Sequence, residues 1–88
     1  MDKVIFLNII GCLPKQFDSH AFIRKFSEKY PRQYRLLIEK YGKVTMAHCI
    51  IGSFLRNNTR SLGIEYKGKT KSGNVSGKQS SCALWNKD

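Results

Sequence analysis

Residues 31–58 read PRQYRLLIEKYGKVTMAHCIIGSFLRNN, and two helical stripes lie in them back to back. Pro31 sits where it can open a helix, because a first-turn residue has no intrahelical partner for its N–H anyway. Tyr34, Leu37, Ile38 and Tyr41 then follow the i, i+3, i+4, i+7 pattern of one apolar face, which predicts a helix over 32–41 with Gly42 as its C-cap. After a short Lys43-Val44 connection, Thr45 is a plausible cap for a helix over 45–58. Ala47, Ile50, Ile51, Phe54, Leu55 and Asn58 recur there at helical spacing. The opposite face carries Thr45, Cys49, Gly52, Ser53, Arg56 and Arg60, small or polar residues with two arginines and no acid.

Working upstream, Asp18-Ser19 supplies an N-cap for a helix over 19–30, with Phe22, Ile23, Phe26 and Tyr30 on one stripe. Residues 3–13 are ambiguous. Their β-branched residues fit a strand, whereas Phe6, Ile9, Ile10 and Leu13 recur at helical spacing, and helix is the slightly better fit. Pro14 ends the segment in either case. Downstream, Asn57-Asn58-Thr59 frays the third helix and Gly63 stops it. Ile64–Lys67 alternates, and Cys82–Trp85 is a second β-compatible run. The stretch between them, Gly68–Gln79, is rich in Gly, Ser and Lys. This predicts a β-hairpin over about 63–86 with a long, mobile, twelve-residue tip.

The expected fold class is therefore α+β: a three- or four-helix bundle followed by a C-terminal β-hairpin, in one domain spanning residues 1–88. Eighty-eight residues with 41% hydrophobic content suffice for one modest core. Tyr30, Tyr34, Tyr41 and Trp85 read as core residues with wet rims rather than as base-stacking platforms.

Sixteen Lys and Arg against six Asp and Glu leave a formal net charge of +10. Such a field gathers polyanions: nucleic acid, an anionic membrane face or an acidic protein. Membrane attachment fits worst. No helix pairs a lysine-rich face with a broad apolar one, and the apolar run Val4–Cys12 is far short of the roughly 20 residues a bilayer requires. That run also lacks a following small-residue cleavage site, so it reads as core and not as a signal peptide. Cys12, Cys49 and Cys82 are odd in number and widely spaced, which reads as buried free thiols in a reducing, cytoplasmic setting.

Three short helices followed by a β-hairpin with a basic tip is a chain order that resembles a winged helix-turn-helix domain, over roughly residues 18–86. The resemblance implies that 45–58 is a recognition helix, turning Thr45, Cys49, Ser53 and Arg56 to the DNA major groove. It also implies that the hairpin is a wing, carrying Lys67, Lys69, Lys71 and Lys78 toward phosphates or the minor groove. Arginine can grip guanine bidentately, so any base reading is expected at Arg56, helped by Ser53 or Asn57. General affinity is expected from the hairpin lysines, Arg60 and Lys43. A plainer role is open to Arg56 and Arg60, which also complement a helix dipole.

Catalytic patterns are missing. Cys12, His20, His48, Cys49 and Cys82 contain no C-x-x-C or H-x-x-x-H pair, which argues against a metal. Gly68-Lys69-Thr70 lacks the upstream glycine, preceding strand and following helix of a phosphate-binding loop. The expectation is a cofactor-free, non-enzymatic domain that binds nucleic acid, DNA before RNA. The rival expectation is a protein-interaction or assembly module whose hairpin pairs along a partner's edge strand. Oligomeric state is open.

Overall fold

The computed structural model describes all 88 residues and is α+β. Helix α1 spans Lys3–Gly11, strand β1 Gln16–Asp18, α2 Ser19–Lys29, α3 Pro31–Tyr41, α4 Val44–Asn57 and the single turn α5 Thr59–Leu62. Strands β2 (Ile64–Gly73) and β3 (Gln79–Lys87) form the C-terminal hairpin. The sheet is antiparallel with order β1-β3-β2, an arrangement compatible with a winged-helix-like fold. No helix is long and apolar enough to cross a membrane.

Local chemistry accounts for most boundaries. Residues 3–11 are helical: the Val4 N–H donates to the Asp2 carboxylate at 2.9 Å, and Phe6, Ile9 and Ile10 turn into the core. The Asp18 carboxylate accepts from the Ala21 N–H at 2.8 Å and starts α2, satisfying an otherwise orphaned donor. Gly42 and Gly63 end α3 and α5 at φ of 76° and 68°, left-handed values that side chains with a Cβ resist. One expectation needs correction: α4 starts at Val44 after Lys43, and Thr45 does not cap it.

Thirteen buried side chains form one core, to which α1, α2, α4, α5 and all but the outer part of the sheet contribute. Phe6 is its hub, with ring centroids 5.0 Å from Phe22, 5.9 Å from Phe26 and 4.4 Å from Phe54. Trp85 is 1% exposed, and its indole N–H donates to the Ser19 hydroxyl at 3.0 Å, so a large apolar surface is buried without stranding a donor. Tyr30, Tyr34 and Tyr41 are half-buried at the rim.

The three-residue strand β1 has no signature of its own. It exists because Phe17 pairs opposite Trp85 on β3 and both are buried. The chain end is tied down as well, since the Lys87 N–H donates to the Lys15 carbonyl and the Asp88 N–H to the Gly63 carbonyl.

Two more expectations fail. The hairpin tip is not a twelve-residue loop: pairing continues to Gly73↔Gln79, leaving only residues 74–78 as the turn. Asn74 organises that turn, its side-chain oxygen accepting from the Ser76 and Lys78 N–H groups, as Asx turns do. The cysteines are free but not buried, because Cys12 and Cys49 are exposed and Cys82 is half-buried.

Candidate nucleic-acid interface

The hairpin is irregular at one place, and that irregularity shapes the site. Between the pairs Tyr66↔Trp85 and Lys69↔Ala83, both Lys67 and Gly68 stand opposite the single Leu84, a β-bulge. Simple alternation from Trp85 holds as far as Ala83, which packs against the core, and would turn Ser81 toward the helices next. Beyond the bulge it is Ser80 on β3 and Ser72 on β2 that meet α2, because a bulge shifts the phase of side chains along a ladder. The outer hairpin thereby presents a polar face to the helices and its lysines to the far side.

His20 fastens that polar face. Its Nδ1 lies 2.8 Å from the Ser72 hydroxyl and its Nε2 3.2 Å from the Ser80 hydroxyl, one serine on each strand. One turn later on α2, Arg24 donates to the Gly73 carbonyl at 2.9 Å. Cys82 completes the row, 3.8 Å from the Ser72 oxygen.

Between this fastened hairpin and α4 runs an open groove of about 520 Å³. One wall is the small face of α4, with Thr45, Cys49, Ser53 and Arg56. The floor includes His20 and His48, the other wall Ser80 and Cys82, and no carboxylate lines any part of it. Arg56 lies over the Tyr66 ring, 5.1 Å from its centroid, and Tyr66 meets Trp85 edge-on at 5.5 Å. This stack holds the guanidinium against the sheet and involves none of its donors in an ion pair, which is the plainest way to orient an arginine fork.

The residues expected from the sequence separate into groups. Thr45, Ser53 and Arg56 share the groove. Lys78 is exposed on the turn at its outer end. Lys69 and Lys71 are exposed and alternate with Thr70 and Ser72, so they lie on the opposite face of the hairpin. Lys67 is partly engaged by Glu65, at 3.5 Å. Asn57 and Arg60 are exposed at the end of α4 and on α5, outside the groove lining.

Residue spacing singles out His20 and His48 only as metal candidates, and no group of three or more His, Cys, Asp or Glu residues is placed to hold a metal ion. Their common position follows from tertiary packing of α2 against α4, for which a single sequence carries no signal. His48 Nε2 is 2.6 Å from the Tyr34 hydroxyl, and the two rings stack at 5.8 Å. Burial holds the His48 pKa below its usual value, with the charge of His20 acting in the same direction, and burial pushes the Tyr34 hydroxyl up. A second, smaller cleft of about 260 Å³ lies between α1 and α3, among Met1, Ile5, Phe6, Phe26, Leu36 and Leu37. Comparison with known proteins gives no match, whether with family models, with curated proteins or with solved structures.

Proposed function

We propose that this chain is a nucleic-acid-binding domain without catalytic activity that docks duplex DNA against α4 and the hairpin, as a winged helix-turn-helix protein of a reducing cytoplasm. The observation that carries the reading is the carboxylate-free groove between a helix face of small polar residues, with Arg56 in it, and the outer hairpin, in a chain of net charge +10. Small side chains let a helix approach base edges, while Lys78 at the outer end of the groove and the lysines of the hairpin arm neutralise phosphates and release counterions. Arg56 is the base-reading residue, Ser53 and Thr45 line its approach, and Lys69, Lys71 and Lys78 supply sequence-independent affinity from the hairpin. Asn57 and Arg60 add contacts beyond the end of α4.

Fluorescence anisotropy with random-sequence duplex across a salt series tests this. The expected result is a linear fall of log affinity with log salt. In a Lys69→Ala, Lys71→Ala, Lys78→Ala triple variant the slope becomes shallower by about 0.9 for every phosphate no longer neutralised. Arg56→Ala is expected to weaken one sequence class by about 1–3 kcal/mol once a preferred site has been selected. No binding of duplex or single strands at low salt overturns the reading.

A second reading rests on the sheet. β2 is an edge strand, and Tyr66 and Val75 on the hairpin are exposed apolar residues. These features suit an extended acidic segment of another protein adding along β2 opposite the lysines. A salt-insensitive protein complex that persists while DNA fails to bind selects this reading.

A further inference from the structure

We propose that the groove takes a backbone phosphate of the bound nucleic acid beside His20 and His48, so that binding takes up protons and tightens as the pH falls. This rests on the nucleic-acid reading above. The placement of the groups is the first support: histidines from two helices, α2 and α4, line one groove that an arginine also enters and no carboxylate does. An anion that sits beside the two histidines meets no carboxylate on any side of the groove.

Both rings accommodate a proton without rebuilding. The hydrogen bonds of the His20 ring are both to hydroxyl groups, Ser72 on one side and Ser80 on the other. A hydroxyl accepts as readily as it donates, so charged His20 donates from both nitrogens to the same two serines. At His48 the Tyr34 hydroxyl donates to Nε2 where that nitrogen is bare and accepts from it where it carries a proton, so the charged ring keeps the same partner. His48 lines the groove, with Nε2 engaged by Tyr34.

The surroundings of His48 oppose its charge while the groove is empty. On α4, Cys49 is the next residue along the groove lining, and Arg56 lies two turns further on, over the Tyr66 ring. From α3 His48 meets Tyr34, and from α2 it meets His20. His20 has Arg24 one turn along α2, with Cys82 and the two serines on the hairpin. Asp18 lies two residues before His20, but its carboxylate caps the Ala21 N–H and does not line the groove. Burial and the neighbouring histidine both depress the His48 pKa. A phosphate reverses the sign of the local field, the rings protonate, and by reciprocity each proton bound strengthens the hold on the phosphate.

The test is titration calorimetry of the full chain with random-sequence duplex at fixed ionic strength. It is run at pH 5.5 and 7.5, and at pH 6.5 in two buffers of different ionisation enthalpy. The expected result is proton uptake on binding and an affinity about tenfold higher at pH 5.5 than at 7.5, within the usual range for coupled sites. In His48→Gln the ratio between the two pH values shrinks, and in His20→Gln, His48→Gln it approaches one. The wild-type proton count requires no variant, so it decides the matter even if the double variant unfolds. Binding without proton uptake, or a ratio unchanged in a folded double variant, overturns the proposal while leaving nucleic-acid binding intact. Absence of binding at every pH overturns both.

Discussion

Below the bulge at Lys67–Gly68 the hairpin carries Ile64 and Trp85 into the core; above it the same two strands carry Ser72 and Ser80 to a histidine. The lower part is held by apolar burial, which acts over whole side chains and is indifferent to direction. The upper part is held by a handful of directed hydrogen bonds, each contributing about 0.5–1.5 kcal/mol net. The inner half thus belongs to the folding unit, and the outer half is a polar arm whose position depends on α2. An arm attached in this way can stay ordered while leaving a groove open beside it. Packing it with apolar residues would have closed that groove.

The largest expected effect breaks the lower half. Trp85→Ala removes a side chain that is 1% exposed, pairs with Phe17 and Tyr66 across both neighbouring strands, and bonds Ser19. A destabilisation of about 3–5 kcal/mol is expected for such a truncation, much of the stability of a small domain. Urea unfolding should show a large drop in midpoint or no folded baseline. Trp85→Phe keeps an aromatic ring, orphans Ser19 and should fall well short of that effect.

The same division explains how much was legible. The lower half and the helices announce themselves through periodic apolar residues: Phe22, Ile23 and Phe26 in α2, and Ala47, Ile51 and Leu55 in α4, all of which are buried. The upper half has no such periodicity. Lys69-Thr70-Lys71-Ser72-Gly73 is polar on both faces and reads as a loop, although every one of these residues is paired. Its β-structure comes from the ladder itself and from His20 and Arg24, about fifty residues upstream. For the same reason the expected site was legible only on the helix. A wheel of α4 isolates Thr45, Ser53 and Arg56, but no local pattern places His20 beside them or turns Lys69 and Lys71 to the far face. The cysteines mislead because apolar neighbours in sequence do not guarantee burial in space. Cys49 sits on the groove wall, and Cys12 lies just past the end of α1.

The next effect breaks the upper half alone. His20→Ala removes both serine partners, and a destabilisation of about 1–2 kcal/mol is expected from two hydrogen bonds of ordinary worth. The more telling signal is where it falls. Amide hydrogen exchange should quicken between Lys69 and Cys82 while Phe22, Ile51 and Trp85 keep their protection, since local opening follows cooperative units. Uniform acceleration across the chain would show that arm and core unfold together.

A smaller effect of opposite sign sharpens the contrast between the buried and groove faces of α4. Gly52 is inside the helix, on the groove, and a Cβ built there meets nothing within 4 Å. Nothing in the fold requires a glycine, so Gly52→Ala should raise stability by about 0.5–1 kcal/mol through helix propensity. Thermal unfolding measures this. If a ligand backbone approaches α4 closely, the added methyl should weaken nucleic-acid binding while it stabilises the free protein.

The smallest expected effect concerns acid, and its sign depends on whether the groove is filled. In the free protein the His48 pKa is held below that of the unfolded chain, chiefly by burial. Between those two pKa values the unfolded state binds more protons than the folded one, so stability rises with pH through that window. The contribution is fully present above the unfolded value of about 6.5 and disappears as the pH drops through the folded one. Because the ring is only half-buried, water screens it and the shift in unfolding midpoint should be modest. His48→Gln should flatten the dependence of the midpoint on pH between 7.5 and 5.5. With duplex DNA in the groove the direction should invert, since the phosphate favours the protonated ring and the complex gains from each proton the free fold resists. The increase in melting temperature produced by saturating DNA should therefore be larger at pH 5.5 than at pH 7.5 in the wild type, and that difference should shrink in His48→Gln.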